Sequence, residues 1–288
     1  MGTFSNSIGL VKASWRVLRD EPGMAWLPVI AALASIVVAA TFALPVIGAD
    51  AVFGDGDASF GGVLDWVLIV LFYFVGAFIT IFFNAAVVFA ANERLEGRDT
   101  NVSAAIAGAA KRWRLVLEWS IVTTTVNIVL RAIAERFGFV GTIVAGLLGL
   151  AWSLVTFLAL PILVIEGIGV RDALKKSGAL FKKTWGENVV GNGGIGLIGF
   201  LVSLPAAALL AGGIALTAND SSLALGVLLV VLGAVAFAVI IPLMTALSGI
   251  FQTALYRFAN DGQLPKGFEQ TNLAHAFRPK TGGRAGGI

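Results

Sequence analysis

Four polar residues recur at four-residue spacing within one apolar stretch of the sequence: Thr123, Asn127, Arg131 and Glu135. Residues four apart lie on one face of an α-helix, so this spacing predicts a polar stripe. Polar groups inside a membrane are costly, and they indicate either a hydrated cavity or local partners. In the local interpretation, Arg131 pairs with Glu135 and Thr123 bonds to its own backbone.

A second set of polar residues falls near one end of the apolar stretches: Asn84, Asn92, Glu118, Glu166, Asn188, Asn192 and Gln252. These side chains could ring a vestibule, or they could satisfy one another and water at helix ends. Taken with the stripe, they give a candidate intramembrane polar path: Asn84, Asn127, Arg131 and Gln252. Such a path would suit a small solute, and Arg131 would favour an anion.

The sequence contains few of the features that are typical of catalytic sites. The chain has no cysteine and a single histidine, His275. No Gly-x-Ser-x-Gly elbow, His-Glu-x-x-His pair or Walker-type loop occurs. We therefore predict that the protein is not an enzyme and has no catalytic residues, no cofactor and no metal site.

Three short basic segments each contain a tryptophan and run into a long apolar stretch. Their helical periodicity predicts surface helices that lie in the membrane interface, with lysines toward lipid phosphates and tryptophans at headgroup depth. Eight residues are the candidate contacts with lipid or a partner: Trp15, Arg16, Lys111, Arg112, Trp113, Lys182, Lys183 and Trp185. Beside apolar spans, anionic lipid explains these charges better than nucleic acid, which we exclude as a partner.

The elements that position these residues are predicted to be membrane helices. Of the 288 residues, 58% are hydrophobic and 13% are charged, whereas a soluble domain carries roughly a quarter charged residues. A membrane helix needs about 20 mainly apolar residues. Six segments qualify: 25–47, 66–91, 115–133, 137–165, 189–216 and 223–256. Their prolines are candidate kink sites: Pro28, Pro45, Pro161, Pro205 and Pro242.

Charge decides the orientation of these spans. If both termini face one side, only Arg131 and Arg136 among the lysines and arginines fall on the other side. The positive-inside rule then predicts a multi-pass protein of the bacterial cytoplasmic membrane with both termini cytoplasmic. The expected lipid partner is the anionic inner leaflet.

Repetition along the chain suggests how the spans are arranged. Residues 83–86 and 91–93 match 251–254 and 259–261 without gaps. We predict an all-α membrane protein whose six transmembrane helices form three hairpins, each preceded by a basic amphipathic interfacial helix, about a pseudo-threefold axis along the membrane normal. This domain spans 1–262, in units of about 1–91, 100–166 and 170–262. Residues 263–288 form a basic, mostly flexible cytoplasmic tail with a short helix near 273–277.

Stripes of small residues predict where helices approach closely. Gly141, Ala145, Gly149 and Ser153 recur every fourth residue. A second stripe repeats the pattern, interrupted only by Ile195: Gly191, Gly199, Ser203, Ala207, Ala211 and Ala215. In lipid, small residues let helix backbones pack closely. The stripes could serve packing within the bundle or the interface of a homo-oligomer.

Three segments resemble a family of six-span bacterial and archaeal membrane proteins known as a domain of unknown function: 12–19, 184–188 and 276–280. The resemblance implies an integral membrane protein and carries over no activity or functional residue. Mitochondrial carriers are similar in architecture alone, since their Pro-x-Asp/Glu-x-x-Lys/Arg signature is missing. The membrane domain of some glycerophosphodiester phosphodiesterases is similar in style and implies a lipid-facing or regulatory role.

From these features we predict a membrane-organising subunit that binds lipid or a protein partner, the partner being another protein or a second copy of the chain. The alternative is a small-solute transporter or channel with its path along the pseudo-threefold axis.

Overall fold

The computed structural model describes residues 3–53, 63–185, 194–218, 222–262, 265–266 and 268. Within these ranges the chain is helical and forms no strand, which confirms the predicted all-α class. The ranges contain ten helices: α1 Thr3–Asp20, α2 Gly23–Phe53, α3 Val63–Leu95, α4 Val102–Ala110, α5 Trp113–Arg136, α6 Gly138–Thr156, α7 Ala159–Glu166, α8 Val170–Trp185, α9 Gly194–Ala218 and α10 Leu223–Asp261.

Six apolar helical segments are long enough to cross a membrane: Gly23–Phe42, Trp66–Leu95, Trp113–Arg136, Gly138–Glu166, Gly199–Ala218 and Leu223–Asp261. They confirm the predicted multi-pass membrane protein, and the fourth segment combines α6 and α7. The helices run past the predicted ends of the second and last spans, because α3 and α10 continue as helix into a polar final turn.

The buried core lies at one end of the spans. Neighbouring spans pack in pairs, α2 with α3, α5 with α6 and α9 with α10, and α3 also packs against α10. Ala86 of α3, Ile162 of α7 and Ile250 of α10 are fully buried at this end. Toward the other end side chains are mostly exposed, and α6 buries only Gly141. Lipid solvates exposed apolar side chains, so the hydrophobic effect does not favour closer packing of the helices at this end.

The fourth span is broken between α6 and α7. Pro161 lacks an N–H, so it cannot donate to the carbonyl of the preceding turn. At the break itself, the Leu158 N–H donates a hydrogen bond of 3.1 Å to the hydroxyl oxygen of Ser177 on α8. Ser177 is fully buried, so this bond ties the break directly to a surface helix. By contrast, Pro205 and Pro242 lie inside continuous helices.

Replacing Ser177 with alanine is expected to lower the free energy of unfolding by about 1–2 kcal/mol, because the buried Leu158 N–H loses its acceptor. The measurement is unfolding in mixed micelles. Ser203→Ala on α9 is the matched control, since that hydroxyl bonds only the Gly199 carbonyl of its own helix. Equal effects of the two substitutions would contradict the assigned role of Ser177.

Packed structure continues beyond residue 262. Phe268 is fully buried within the core, and Pro265 beside it is buried as well. Apart from residues 265, 266 and 268, the tail 263–288 and its predicted helix near 273–277 lie outside the described residues. The domain limits and the flexibility of the tail therefore stay predictions.

Candidate functional site

The first basic segment forms α1, which packs against α9 and α10 through small side chains. Ala13, Ser14 and Val17 are buried, whereas Lys12 is exposed on the opposite face. Trp15 was expected on the apolar face, but it is 47% exposed. One residue advances about 100° around a helix, which places Trp15 on the flank between the buried face and the basic face. The basic face also holds Arg16 and Arg19, both exposed.

The second segment does not form the basic helix that we predicted. Helix α4 contains no lysine or arginine and packs against α3. Its Gly108 sits so close to Phe89 that an added Cβ would lie 2.5 Å from the ring. The opposite face of α4 is exposed at Ser103, Ala104 and Ala107 but carries no charge, and the charges follow the helix instead. Lys111 and Arg112 form the turn before α5, and Trp113 begins α5.

The side chains of this turn take three different positions. Trp113 is 49% exposed, and the guanidinium of Arg114 lies 5.5 Å from its ring centroid, within cation–π range. Lys111 is exposed. Arg112 packs against Gly167, the left-handed residue that ends α7. A cation at the C-terminal end of a helix is stabilised by the helix dipole, which accounts for this placement.

The third segment forms α8 and follows its predicted periodicity in part. Val170, Ala173 and Ser177 are buried, while Lys182 on the opposite side is exposed together with Arg171 and Lys175. The neighbouring Lys176 turns back toward the core. Lys183 and Trp185 lie in the last turn of α8, and their side chains fall outside the described residues.

Lys176 joins a polar cluster that links α7, α8 and α10. Its Nζ lies 2.7 Å from Glu166 Oε1, the same oxygen that accepts a 2.5 Å hydrogen bond from the hydroxyl of Tyr256. Tyr256 is buried, and two donors on one oxygen keep the Glu166 carboxylate satisfied at the edge of the core. This cluster is a structural contact between two spans and a surface helix.

A second polar cluster joins the ends of α3 and α10. Arg257 pairs with Glu96, and its Nη1 donates to Asn92 Oδ1 at 2.7 Å. Arg98 donates two hydrogen bonds to the Glu93 carboxylate, of 2.5 and 2.6 Å, and also forms an ion pair with Glu96. Burial by itself would raise the pKa of Glu96, but the hydrogen bond and charge of Arg257, with a contribution from Arg98, hold that pKa below its ordinary value. The carboxylate of Glu96 is therefore charged at neutral pH.

The described cations divide into two groups. Five pair with a carboxylate: Arg94, Arg98, Arg131, Lys176 and Arg257. Cations of the three basic segments have no ion pair within the described part of the chain: Lys12, Arg19, Lys111, Arg112, Arg114, Arg171, Lys175 and Lys182. Four of the paired cations lie at the packed end of the spans, whereas Arg131 pairs with Glu135 at the exposed end of α5. The second group remains available to an external anion.

The four residues of the candidate polar path do not form hydrogen bonds with one another in the described part of the chain. Arg131 donates to Glu135 at 2.7 Å and is 71% exposed, as the local interpretation of the stripe expects. Thr123 likewise bonds the Trp119 carbonyl at 2.9 Å. Among the described residues, no hydrogen bond joins any two members of the path. Asn127 is exposed, while Asn84 and Gln252 are half-buried, so the path stays a prediction.

No group of three or more histidine, aspartate or glutamate side chains in the described ranges could hold a metal ion. The geometry thus offers one feature for recognition, the exposed cations and tryptophans around the buried end of the spans. Helices α1 and α8 and the turn between α4 and α5 position it.

Comparison with known proteins gives one match. A family model described as a family of unknown function, DUF6159, matches residues 63–267. The match begins with α3 and excludes α1 and α2, so two of the three resembling segments, 12–19 and 276–280, lie outside it. No curated protein and no solved structure matches the chain. Because the matched residues make up more than half of the sequence, the chain belongs to this family of unknown function, DUF6159.

Proposed function

We propose that the protein is a non-enzymatic, membrane-organising subunit that binds anionic lipid headgroups through a basic collar. The collar comprises the half-buried Arg112 and the exposed cations and tryptophans of the three basic segments: Lys12, Trp15, Arg16, Arg19, Lys111, Trp113, Arg114, Arg171, Lys175 and Lys182. One observation carries the proposal. The core cations Lys176 and Arg257 are paired with carboxylates, whereas Lys12 and Lys111, which have no ion pair among the described residues, lie near the exposed Trp15 and Trp113.

The collar would lie on the inner leaflet of the bacterial cytoplasmic membrane, with both termini in the cytoplasm. Basic residues near a membrane surface each contribute about 1 kcal/mol of attraction to anionic lipid. Tryptophan prefers the headgroup layer, where its ring is amphipathic. A protein partner with an acidic surface, or a second copy of the chain, would use the same face.

A repeated architecture supports a collar with three parts. Each of the three basic segments precedes a pair of packed spans. Residues that match in sequence also match in burial, since Ala85 and Ala86 of α3 are buried like Thr253 and Ala254 of α10. We therefore retain a pseudo-threefold arrangement of three hairpins, with units of about 1–91, 100–166 and 170–262, as part of the proposal.

Removing collar charge is expected to weaken binding of phosphatidylglycerol. Each of Lys175→Gln and Lys182→Gln should cost about 1 kcal/mol, or about fivefold in affinity, and their effects should add. The measurement is equilibrium binding of phosphatidylglycerol to the purified protein in neutral detergent, repeated at rising salt, because screening should erase the difference.

Arg136→Gln is the matched control for the collar. Arg136 is an exposed cation at the far end of α5, away from the three basic segments. Its replacement should leave phosphatidylglycerol affinity unchanged. If Arg136→Gln and Lys182→Gln reduced affinity equally, binding would reflect net charge alone and the collar would be abandoned.

Orientation can be tested with single cysteines because the chain has none of its own. A membrane-impermeant maleimide should label Arg136→Cys in intact spheroplasts, since the proposal places that residue outside. Ser103→Cys, exposed on α4, should be labelled only after permeabilisation. Labelling of Ser103→Cys in intact spheroplasts would place the collar on the outer face and contradict the proposal.

A further inference from the structure

A cavity of about 300 Å³ lies beside the ends of α1 and α3, separate from the collar contacts on α8. Three parts of the chain line it: Val17 and Asp20 of α1, Arg94 and Gly97 at the end of α3, and Lys266 after α10. The apolar span of α3 ends at Leu95, and that of α2 begins at Gly23, so the cavity lies beside the ends of two candidate membrane spans. Its volume is at the lower end for small-ligand pockets.

Lys266 is held in place at the wall of this cavity. Pro265 and Phe268 beside it are buried, which anchors the chain on both sides. Its ammonium packs over Gly97, where an added Cβ would lie 2.4 Å from Nζ. Gly97 also has φ +81°, a conformation that side-chain-bearing residues rarely adopt, so its backbone favours glycine.

The charges around the cavity are not balanced among themselves. Arg94 donates to Asp99 at 2.7 Å and lies 3.9 Å from Asp20, so its charge is already compensated. Lys266 has no carboxylate partner among the described residues. The Asp20 side chain is 61% exposed, and its long contact with Arg94 leaves it free to accept hydrogen bonds. The wall thus presents one uncompensated cation and one available carboxylate across a small cavity.

We propose that this cavity binds the headgroup of a zwitterionic phospholipid that carries a phosphodiester and a primary ammonium, as in phosphatidylethanolamine. Lys266 takes the phosphate, and Asp20 accepts from the ammonium. Val17, 4% exposed, supplies the apolar wall toward the acyl chains. A headgroup with a phosphate alone would pair with Lys266 but would offer no cation to Asp20, which disfavours phosphatidylglycerol here.

The test is competition between phosphatidylethanolamine and phosphatidylcholine for the detergent-purified full chain, read by native mass spectrometry. Both lipids carry the phosphate, but the quaternary ammonium of choline cannot donate a hydrogen bond to Asp20. We expect the wild type to prefer phosphatidylethanolamine by about tenfold, the value of one hydrogen bond to a charged group. Asp20→Ala, which leaves no acceptor, should abolish this preference, and Lys266→Gln should weaken the binding of both lipids by a similar factor.

Lys182→Gln on the collar is the matched control, and it should leave the preference for phosphatidylethanolamine unchanged. Lys266 and Asp20 are exposed, so both variants should unfold at the wild-type temperature, which is checked in parallel. Equal binding of the two lipids by the wild type would overturn the proposal, as would a preference that survives Asp20→Ala. Water-soluble glycerophosphoethanolamine that bound as tightly as the lipid would overturn the assignment to a membrane lipid. None of these outcomes depends on the collar, because the collar is tested with phosphatidylglycerol.

Discussion

Arg257→Gln is expected to lower the free energy of unfolding at neutral pH by about 3 kcal/mol, because it leaves the Glu96 carboxylate partly buried without its main cation. In the folded protein Arg257 pairs with Glu96 and donates to Asn92, and its side chain is only 23% exposed. The same contacts connect the end of α10 to the end of α3, the two spans at the centre of the core. Unfolding in mixed micelles at pH 7 measures the effect.

The cost of Arg257→Gln should also depend on pH. The pKa of Glu96 is held below its ordinary value in the folded protein. A depressed carboxyl pKa contributes stability that is complete above the unfolded pKa and is lost as pH falls through the folded pKa. Protonation of Glu96 removes the charge that Arg257 compensates, so the gap between wild type and variant should narrow below about pH 4.

Glu96→Gln provides the control for this pH dependence. It removes the titrating group while keeping a hydrogen-bonding side chain, so Arg257→Gln made in that background should cost much less than in the wild type. A cost that stayed constant from pH 7 to pH 3, or that was the same in both backgrounds, would show that the charge of Glu96 is not its source.

The sequence predicts the membrane spans well, but it does not predict the polar contacts between them. The six spans follow from hydropathy because lipid makes a long apolar helix stable wherever it occurs. Contacts between spans depend on which helix faces meet. Helical spacing relates only residues of the same helix, so it does not predict contacts between distant helices. Arg257 and Glu96 are 161 residues apart, and Tyr256 and Glu166 are 90 apart. Neither pair carries a local signal.

Ser177 shows a weaker signal that was present in the sequence. In the sequence it shares one helical face with Val170, Leu174 and Phe181, where a hydroxyl would need a partner. Pro161 does not identify that partner, because a proline frees a backbone carbonyl, whereas Ser177 accepts from the Leu158 N–H. Periodicity gave the face correctly, but it could not say that the partner was backbone.

The small-residue stripes matched the buried residues poorly on both helices. On α6 only Gly141 is buried, at the turn from α5, and Ser153 of the same stripe is exposed. On α9 the predicted stripe is largely exposed at Ala207 and Ala211, and the packed face instead holds Ala206 and Gly213. Helix α9 is rich in small residues on every side, so its sequence alone does not select a face. The selection comes from α10, which presents Gly226 and Gly233 to it.

Gly213→Ala is expected to destabilise the protein by about 3 kcal/mol, since a single methyl group would overpack the contact between α9 and α10. An added Cβ would lie 2.7 Å from the Gly226 carbonyl oxygen and 2.7 Å from the Val230 nitrogen. Both are backbone atoms, so the clash can be relieved only by moving one helix away from the other. In lipid this close approach supplies much of the packing energy, because no hydrophobic drive holds the pair together.

Gly212→Ala is a control that differs by one position. An added Cβ at Gly212 meets nothing within 4 Å, so this substitution should be neutral or should stabilise the helix by up to about 1 kcal/mol. Unfolding of both variants in mixed micelles separates steric cost from helix propensity. If the two alanines had the same effect, α9 and α10 would not be in backbone contact at Gly213. If only Gly213→Ala is destabilising, the pair is fixed by its glycines, and the third pair of spans is a rigid support for the surface helix α1 that packs against it.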